Sequence, residues 1–451
     1  MRFAIPSRKS FAAGANSVIK RAFCLPAIRF PIEHHLGRER LSGAGQRGTA
    51  GRQTRNQRLN PTVTLWLLVR RAVASRVATG MYFLALWGLI ACTGCRSARW
   101  DCYPIGLFGV KNTNDLELVA AAGFNVVTGP ATRSWLDNAR AAGLGVLAFP
   151  GVTAGPQFDR EKGAKVLQAF DRHRAVWGWY LSDEPDLHRI DPVHVAEACR
   201  WWKQAGATKP VAITVYHGAT AAHYGVEADV VFVDRYPVPW QPLAGFSQQL
   251  QLARLAIGPK KKLVGVVQAF DWSYHTDAIS APGPFRPPTY DELRCMTYCA
   301  LVQGADGLFY YTFDDGRWRM REHLGTWRDL HAVVSEVNAR QALFAGKRKW
   351  WPKQHTYPNP PDGFNEALDS SIISALLVVK RGQGDCPGGE YLVAVNTTSR
   401  TIEYVINSPW RGLLYVPVFG EQRVIGLAND RLRDVFGPYA VRVYGPVRFD
   451  R

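Results

Sequence analysis

The residues best suited to chemistry stand together in Trp177-Gly178-Trp179-Tyr180-Leu181-Ser182-Asp183-Glu184-Pro185-Asp186. The apolar, aromatic run reads as a buried strand, and Pro185 stops its ladder just after two adjacent carboxylates. Such a strand delivers Asp183 and Glu184 to its C-terminal end beside large rings. Cleaving a glycosidic bond needs a proton for the leaving oxygen, and a second carboxylate that attacks the anomeric carbon or activates water. Glu184 is the expected proton donor, because Trp179 and Tyr180 shield it from solvent and burial raises the pKa of a carboxyl. Asp183 is expected to position Glu184 or to bind a hydroxyl. The bland alternative makes Asp183-Glu184-Pro185 a turn or a helix cap.

A strand that presents acids at its end needs a scaffold of further strands. The pattern predicts strands at Tyr103–Val110, Asn125–Thr128, Gly145–Phe149, Val176–Leu181, Val211–Val215, Asp229–Val233, Leu263–Val267 and Gly307–Thr312. Helical stretches separate most of them: Thr113–Ala122, Thr132–Ala142, Asp159–His173, Pro192–Gln204, Gly245–Ile257 and Thr289–Gln303, with Leu324–Gln341 last. Asp191 is an N-cap with Pro192 in the first turn. Short apolar strands alternating with helices over about 240 residues have the rhythm of a (β/α)8 TIM barrel, placed at 103–345. The alternative, an open doubly wound sheet, lacks a G-x-G-x-x-G after the first strand. Residues 350–367 read as a linker. Runs at Ile372–Lys380, Gly389–Asn396, Thr401–Asn407, Gly412–Phe419 and Tyr439–Tyr444 suggest a small C-terminal β-sandwich over 368–451.

In a barrel, active residues gather at the C-terminal ends of strands. Those ends offer Tyr216 and His217 on the fifth strand, then Asp234, Arg235 and Tyr236 on the sixth. The seventh offers Gln268, Asp271 and Trp272, and the eighth Tyr310, Tyr311, Asp314 and Asp315. Asp234 is the expected second carboxylate, ahead of Asp271 and Asp314; its structural alternative is an ion pair with Arg235. Asp314-Asp315-Gly316 fits a turn better than a site. Tyr180, His217, Tyr236, Gln268, Asp271, Trp272, Tyr310 and Tyr311, with Asp183, are the expected substrate-binding set. Trp179, Trp240, Tyr274 and Trp318 are further candidate platforms for pyranose rings, although any single aromatic is more often core.

The formal charge of +18 belongs mostly to the N-terminal extension, since residues 1–80 hold 15 Lys+Arg against 2 Asp+Glu. No basic stripe, zinc-finger spacing or RNP-like motif supports nucleic-acid binding by the remainder. Residues 1–64 read as disordered or as the product of a misplaced translation start. Residues 65–95 follow a basic n-region (Arg70, Arg71, Arg76) with the apolar stretch Met81–Ala91, which is short for a membrane span. Leu89-Ile90-Ala91-Cys92-Thr93-Gly94-Cys95 resembles the lipobox of bacterial lipoprotein signals, with Cys92 or Cys95 as the lipidated residue. An ordinary cleaved signal or a short anchor helix is the alternative. The expected location is therefore the cell envelope, with a membrane contact through the lipid anchor. Cys295 and Cys299 share a helix face and read as buried thiols, without a completing metal ligand. No metal or cofactor motif is present.

The region 103–340 resembles the glycoside hydrolase barrels of the large retaining superfamily (clan A), including its beta-galactosidase-like members. That resemblance implies an acid/base glutamate ending the fourth strand and a nucleophilic glutamate ending the seventh. Glu184 matches the first position, with Asp183 where asparagine is frequent. Val266-Val267-Gln268-Ala269-Phe270 departs at the second, because an amide cannot carry the required negative charge. The expectation is an exported hydrolase acting on oligo- or polysaccharides. Two alternatives are a non-catalytic glycan-binding envelope protein and a barrel hydrolase or lyase acting on uronate-type sugars.

Overall fold

The computed structural model describes residues 102–277 and 283–448. Eight strands close a parallel barrel in sequence order: β1 (Ile105–Leu107), β2 (Val126–Pro130), β3 (Gly145–Phe149), β4 (Val176–Ser182), β5 (Val211–Val215), β6 (Val230–Asp234), β7 (Lys262–Gln268) and β8 (Gly307–Tyr311). A helix follows each strand: α1 (Leu116–Ala121), α2 (Arg133–Ala141), α3 (Arg160–Phe170), α4 (Pro192–Gln204), α5 (Ala221–Tyr224), α6 (Ala244–Ile257), α7 (Tyr290–Val302) and α8 (Leu324–Ala339). The sequence pattern anticipates all of these but α5, a single turn too short to show a helical period. The Asp191 side chain accepts from the Val193 N–H and Pro192 opens α4, as expected.

Side chains alternate across each strand, and this decides what reaches the barrel interior. Phe108, Leu147, Tyr180, Phe232, Val264 and Phe309 fill the inside. Their neighbours Trp179, Leu181, Leu308 and Tyr310 face the helices and belong to the outer core. Gly106 has a packing reason, since a Cβ there would collide with the Phe309 ring.

Beyond α8, α9 (Gln341–Phe344) leads into two antiparallel sheets. Their strands are β9 (Lys347–Lys349), β10 (His355–Thr356), β11 (Ile372–Val379), β12 (Gly389–Asn396), β13 (Ile402–Asn407), β14 (Tyr415–Pro417), β15 (Val424–Ala428), β16 (Arg431–Phe436) and β17 (Val441–Val447). One sheet runs β10-β13-β16-β15-β14 and the other β17-β12-β11-β9. A shared apolar cluster includes Leu376, Leu392 and Tyr444 from the second sheet and Tyr404, Leu432 and Phe436 from the first. The sheets reach back before residue 368, because β9 pairs with β11 and β10 with β13. They meet the barrel through α7, where Cys295 Sγ donates to the Asn396 carbonyl at 3.5 Å, and through Arg340, 5.2 Å from the Phe419 ring centroid.

Among the described residues no helix is long and apolar enough to cross a membrane. The basic extension, the apolar stretch and both lipobox cysteines lie outside the described residues.

Candidate active site

β4 carries its ladder to Ser182, and the chain then breaks sharply. Glu184 has φ +41°, a left-handed conformation uncommon for a residue with a side chain. Strain of this kind persists where the surroundings over-determine it, and it clusters at functional sites. Here the turn brings the Glu184 carboxyl within hydrogen-bonding reach of Asp234, at the end of β6.

Asp234 is only 6% exposed, and its Oδ1 is buried without a hydrogen-bond donor. Tyr236 Oη donates to its other oxygen, Oδ2, at 3.3 Å. Two ionised carboxylates repel in so dry a space, which favours the protonated form of either. Desolvation first, then the Glu184 and Asp183 charges, push the Asp234 pKa well up. Desolvation and the Asp183 charge push the Glu184 carboxyl up to about 7, against a lowering hydrogen bond from Asp234. Both carboxyls are thus held above the usual carboxylate range, and they titrate as a coupled unit.

Asp183 is exposed as a residue, and its carboxyl accepts from Tyr180 Oη at 2.5 Å. Tyr180 Oη also lies 2.5 Å from Thr214 Oγ1 on β5. A phenol has one proton to give, so Thr214 donates to Tyr180 and Tyr180 to Asp183. Desolvation raises the Asp183 pKa, and the Tyr180 bond and the charge of His188 oppose it.

Asp186 is a residue that the sequence reasoning passed over. Its carboxylate accepts from the N–H groups of Tyr216 at 3.0 Å and His217 at 2.8 Å, and from Thr220 Oγ1 at 2.9 Å. It thereby fixes the segment after β5, and His217 Nδ1 stands 3.5 Å from it. The proximity of Asp186 to Glu184 in sequence was the available signal. Arg235 lies 4.5 Å from the Tyr216 ring centroid, not in an ion pair with Asp234.

Aromatic rings form one wall. Tyr236 and Tyr311 stack at 5.5 Å and 23°. Trp272 donates its indole N–H to the Tyr236 carbonyl at 3.4 Å and lies 5.5 Å from the Trp240 ring. The barrel mouth thus gathers Tyr180, Asp183, Glu184, Asp234, Tyr236 and Tyr311, with Trp272 and His217 at its rim.

Other expected site residues are spent elsewhere. Gln268 is fully buried; its Oε1 accepts from the Val238 N–H at 2.9 Å, and its Nε2 donates to the carbonyls of Val238 at 2.9 Å and Phe270 at 3.2 Å. It braces the chain after β6 and keeps no polar atom for substrate. Tyr310 is fully buried against the helices, 3.0 Å from Thr297 Oγ1, because strand alternation points it outward. Trp179 also points outward and donates to Asp171 at 2.9 Å. Asp271 caps a short helical turn by accepting from Ser273 N–H at 2.8 Å. Asp314 accepts from Gly316 N–H at 2.7 Å in a turn, and Asp315 lies 3.0 Å from His275. Trp318 is buried and stacks on His323 at 3.8 Å. Among the described residues no group of three His, Cys, Asp or Glu side chains is placed to hold a metal ion.

Solved structures of similar architecture include glycoside hydrolases. A beta-galactosidase from Bacillus circulans sp. alkalophilus superposes with a TM-score of 0.52 at 8% identity, over 77% of this chain and 99% of that one. The fold is shared. A beta-galactosidase from G. stearothermophilus gives 0.49 at 8% identity, over 77% and 98% of the two chains. An alpha-amylase from Geobacillus thermoleovorans, complexed with acarbose, gives 0.46 at 11%, over 77% and 99%. No family model matches the sequence, and no curated protein does.

Proposed function

We propose that this protein hydrolyses glycosidic bonds, with Glu184 as the proton donor and Asp234 as its companion carboxyl. The observation that carries this reading is the pairing of two buried, electrostatically coupled carboxyls at the barrel mouth, beside an aromatic wall. A Glu184 carboxyl that titrates at about 7 is protonated often enough at neutral pH to protonate a leaving oxygen, and ionises readily enough to take a proton from water. Tyr236 and Tyr311 offer ring faces to a sugar, and Asp183 offers an acceptor to a hydroxyl. The protein acts outside the cytoplasm, held to the cell envelope through lipid on Cys92 or Cys95, and the C-terminal sheets form one sandwich behind the barrel.

A specific observation favours the second reading, a glycan-binding protein without turnover. No carboxylate stands at the end of β7, and Gln268 there is locked into the backbone. Hydrolytic pairs also stand about 5–5.5 Å apart in retaining enzymes and about 6.5–9.5 Å in inverting ones. Carboxyls in hydrogen-bond contact must part before they flank a sugar.

The experiment compares the wild type with Glu184→Gln on a panel of aryl glycosides and oligosaccharides. Loss of turnover by about 100-fold or more, with glycan binding retained, fits general acid catalysis. Equal turnover by both proteins removes Glu184 from the chemistry, and binding without turnover in the wild type selects the second reading.

A further inference from the structure

A second feature of the molecule lies away from the barrel mouth. The segment Lys347-Arg348-Lys349-Trp350-Trp351-Pro352-Lys353 carries four cations and two indoles. A cleft of about 690 Å³ is lined by Arg348, Lys349, Trp350, Trp351, Pro352 and Lys353. Arg348 packs over Gly304, in the turn from α7 into β8, which places the cleft at the end of the barrel opposite the acids.

The charges here are poorly compensated. Lys349 pairs with Glu390 at 2.6 Å. Arg348 and Lys353 have no carboxylate partner among the described residues, and Lys353 donates only to the Ser374 carbonyl. Its ammonium lies 5.0 Å from the Trp351 ring centroid. Desolvation and the like charge of Arg348 hold its pKa down to about 8, and desolvation, then the charge of Arg254, lowers that of Arg348 in turn. Cations crowded together without counter-charge are relieved by an anion. Trp350 is 83% exposed, an unusual setting for an indole. Charges on an edge strand also discourage sheet-to-sheet pairing, and that accounts for Lys347 on β9. It does not account for a bare tryptophan beside two cations without a carboxylate partner, since an exposed indole invites contact.

We propose that this cleft binds an acidic polysaccharide, with a sugar ring on Trp350 and a carboxylate or sulfate between Arg348 and Lys353. The forked guanidinium suits a planar carboxylate, and an aromatic face suits the apolar side of a pyranose. Concavity favours a threaded chain over a flat anionic membrane. The site is non-catalytic and independent of the chemistry at Glu184.

The test is affinity electrophoresis of the full chain through gels containing polygalacturonate or neutral galactan. Polygalacturonate should retard the wild type, and galactan should not. Trp350→Ala, Arg348→Gln and Lys353→Gln should each weaken the retardation by tenfold or more. Glu184→Gln and the surface control Arg411→Gln should leave it unchanged. Absence of retardation overturns the proposal. So does an equal loss in Arg411→Gln, which would mean generic charge attraction. Co-sedimentation with phosphatidylglycerol vesicles that needs the same three residues, without polygalacturonate binding, would assign the patch to a membrane and likewise overturn it.

Discussion

The carboxyl of Glu184 stands within interaction range of that of Asp234 at the mouth of the barrel, and burial holds both above the usual carboxylate range. One acid ends β6 inside the core, and the other follows β4 in a left-handed turn. Burial makes the charge on either costly, so they behave as one titrating unit whose outer member changes state near neutral pH. The chemistry proposed for the site follows from that unit.

The first expectation concerns rate against pH. Glu184 must be protonated to donate, and its carboxyl is pushed up to about 7, so that value should set the alkaline limb of kcat/KM. Above it the rate should fall towards tenfold per pH unit. Asp183 is the second cause that raises Glu184, after desolvation. Asp183→Asn removes this charge and leaves an amide oxygen to accept from Tyr180. The alkaline limb should therefore move to lower pH. A limb that stays in place under Asp183→Asn would show that another group controls the rate.

The same shifts govern stability. A carboxyl whose folded pKa is raised binds its proton more tightly when folded, so stability is greatest below the unfolded value of about 4.3. It declines as pH rises towards the folded value, about 7 for Glu184. Asp234→Asn removes the buried acid and keeps a donor facing Glu184. The variant should be more stable than the wild type at pH 8, on the order of 1–3 kcal/mol, although less active. The gap should close near pH 4, where Glu184 is protonated in both proteins and Asp234 in the wild type. Thermal melts across that range measure it, and a gap independent of pH would mean that the pair is not coupled.

The barrel could be read from the sequence because parallel strands buried on both faces leave apolar runs, and Gly123, Gly143, Gly206 and Gly304 mark the helix exits. The placement of Glu184 and Asp234 at strand ends could be read because polar residues stand out at the ends of such runs. The direction in which a residue points was harder. Tyr310 and Tyr311 are equally aromatic, and only strand phase sends Tyr311 to the mouth and Tyr310 to the helices. Gln268 looked like a failed nucleophile because its partners, Val238 and Phe270, are backbone groups that leave no trace in residue types. β16 was invisible for a related reason: Arg431-Leu432-Arg433-Asp434-Val435-Phe436 hides a strand behind charges that turn out to lie on its solvent face or in ion pairs.

Asp186 is expected to hold the segment after β5 in place. Its carboxylate satisfies two backbone N–H groups and one hydroxyl, all from Tyr216 to Thr220. Asp186→Ala should cost about 2–4 kcal/mol, because hydrogen bonds to a charged acceptor are stronger than neutral ones and the donors would be left unpaired. Limited proteolysis should then cut between residues 216 and 225 at protease concentrations that spare the wild type. Unchanged protection there would mean that the segment is held by its packing alone.

Gln268→Glu separates a structural amide from a lost nucleophile. In the second view, a carboxylate at this position would restore chemistry to the end of β7 and raise turnover. The geometry argues for the first view. Gln268 both accepts from Val238 N–H and donates to the carbonyls of Val238 and Phe270, and a carboxylate can only accept. Ionised, it would set negative charge against two carbonyl oxygens in a site without solvent. Protonated, it would still leave one carbonyl without its donor. The variant should lose about 2–5 kcal/mol of stability and gain no activity. It should also loosen the turn after β6 that carries Tyr236 and Trp240, so any binding carried by that aromatic wall should weaken with it. A gain in turnover without loss of thermal stability would overturn the brace and return the position to the chemistry of the mouth.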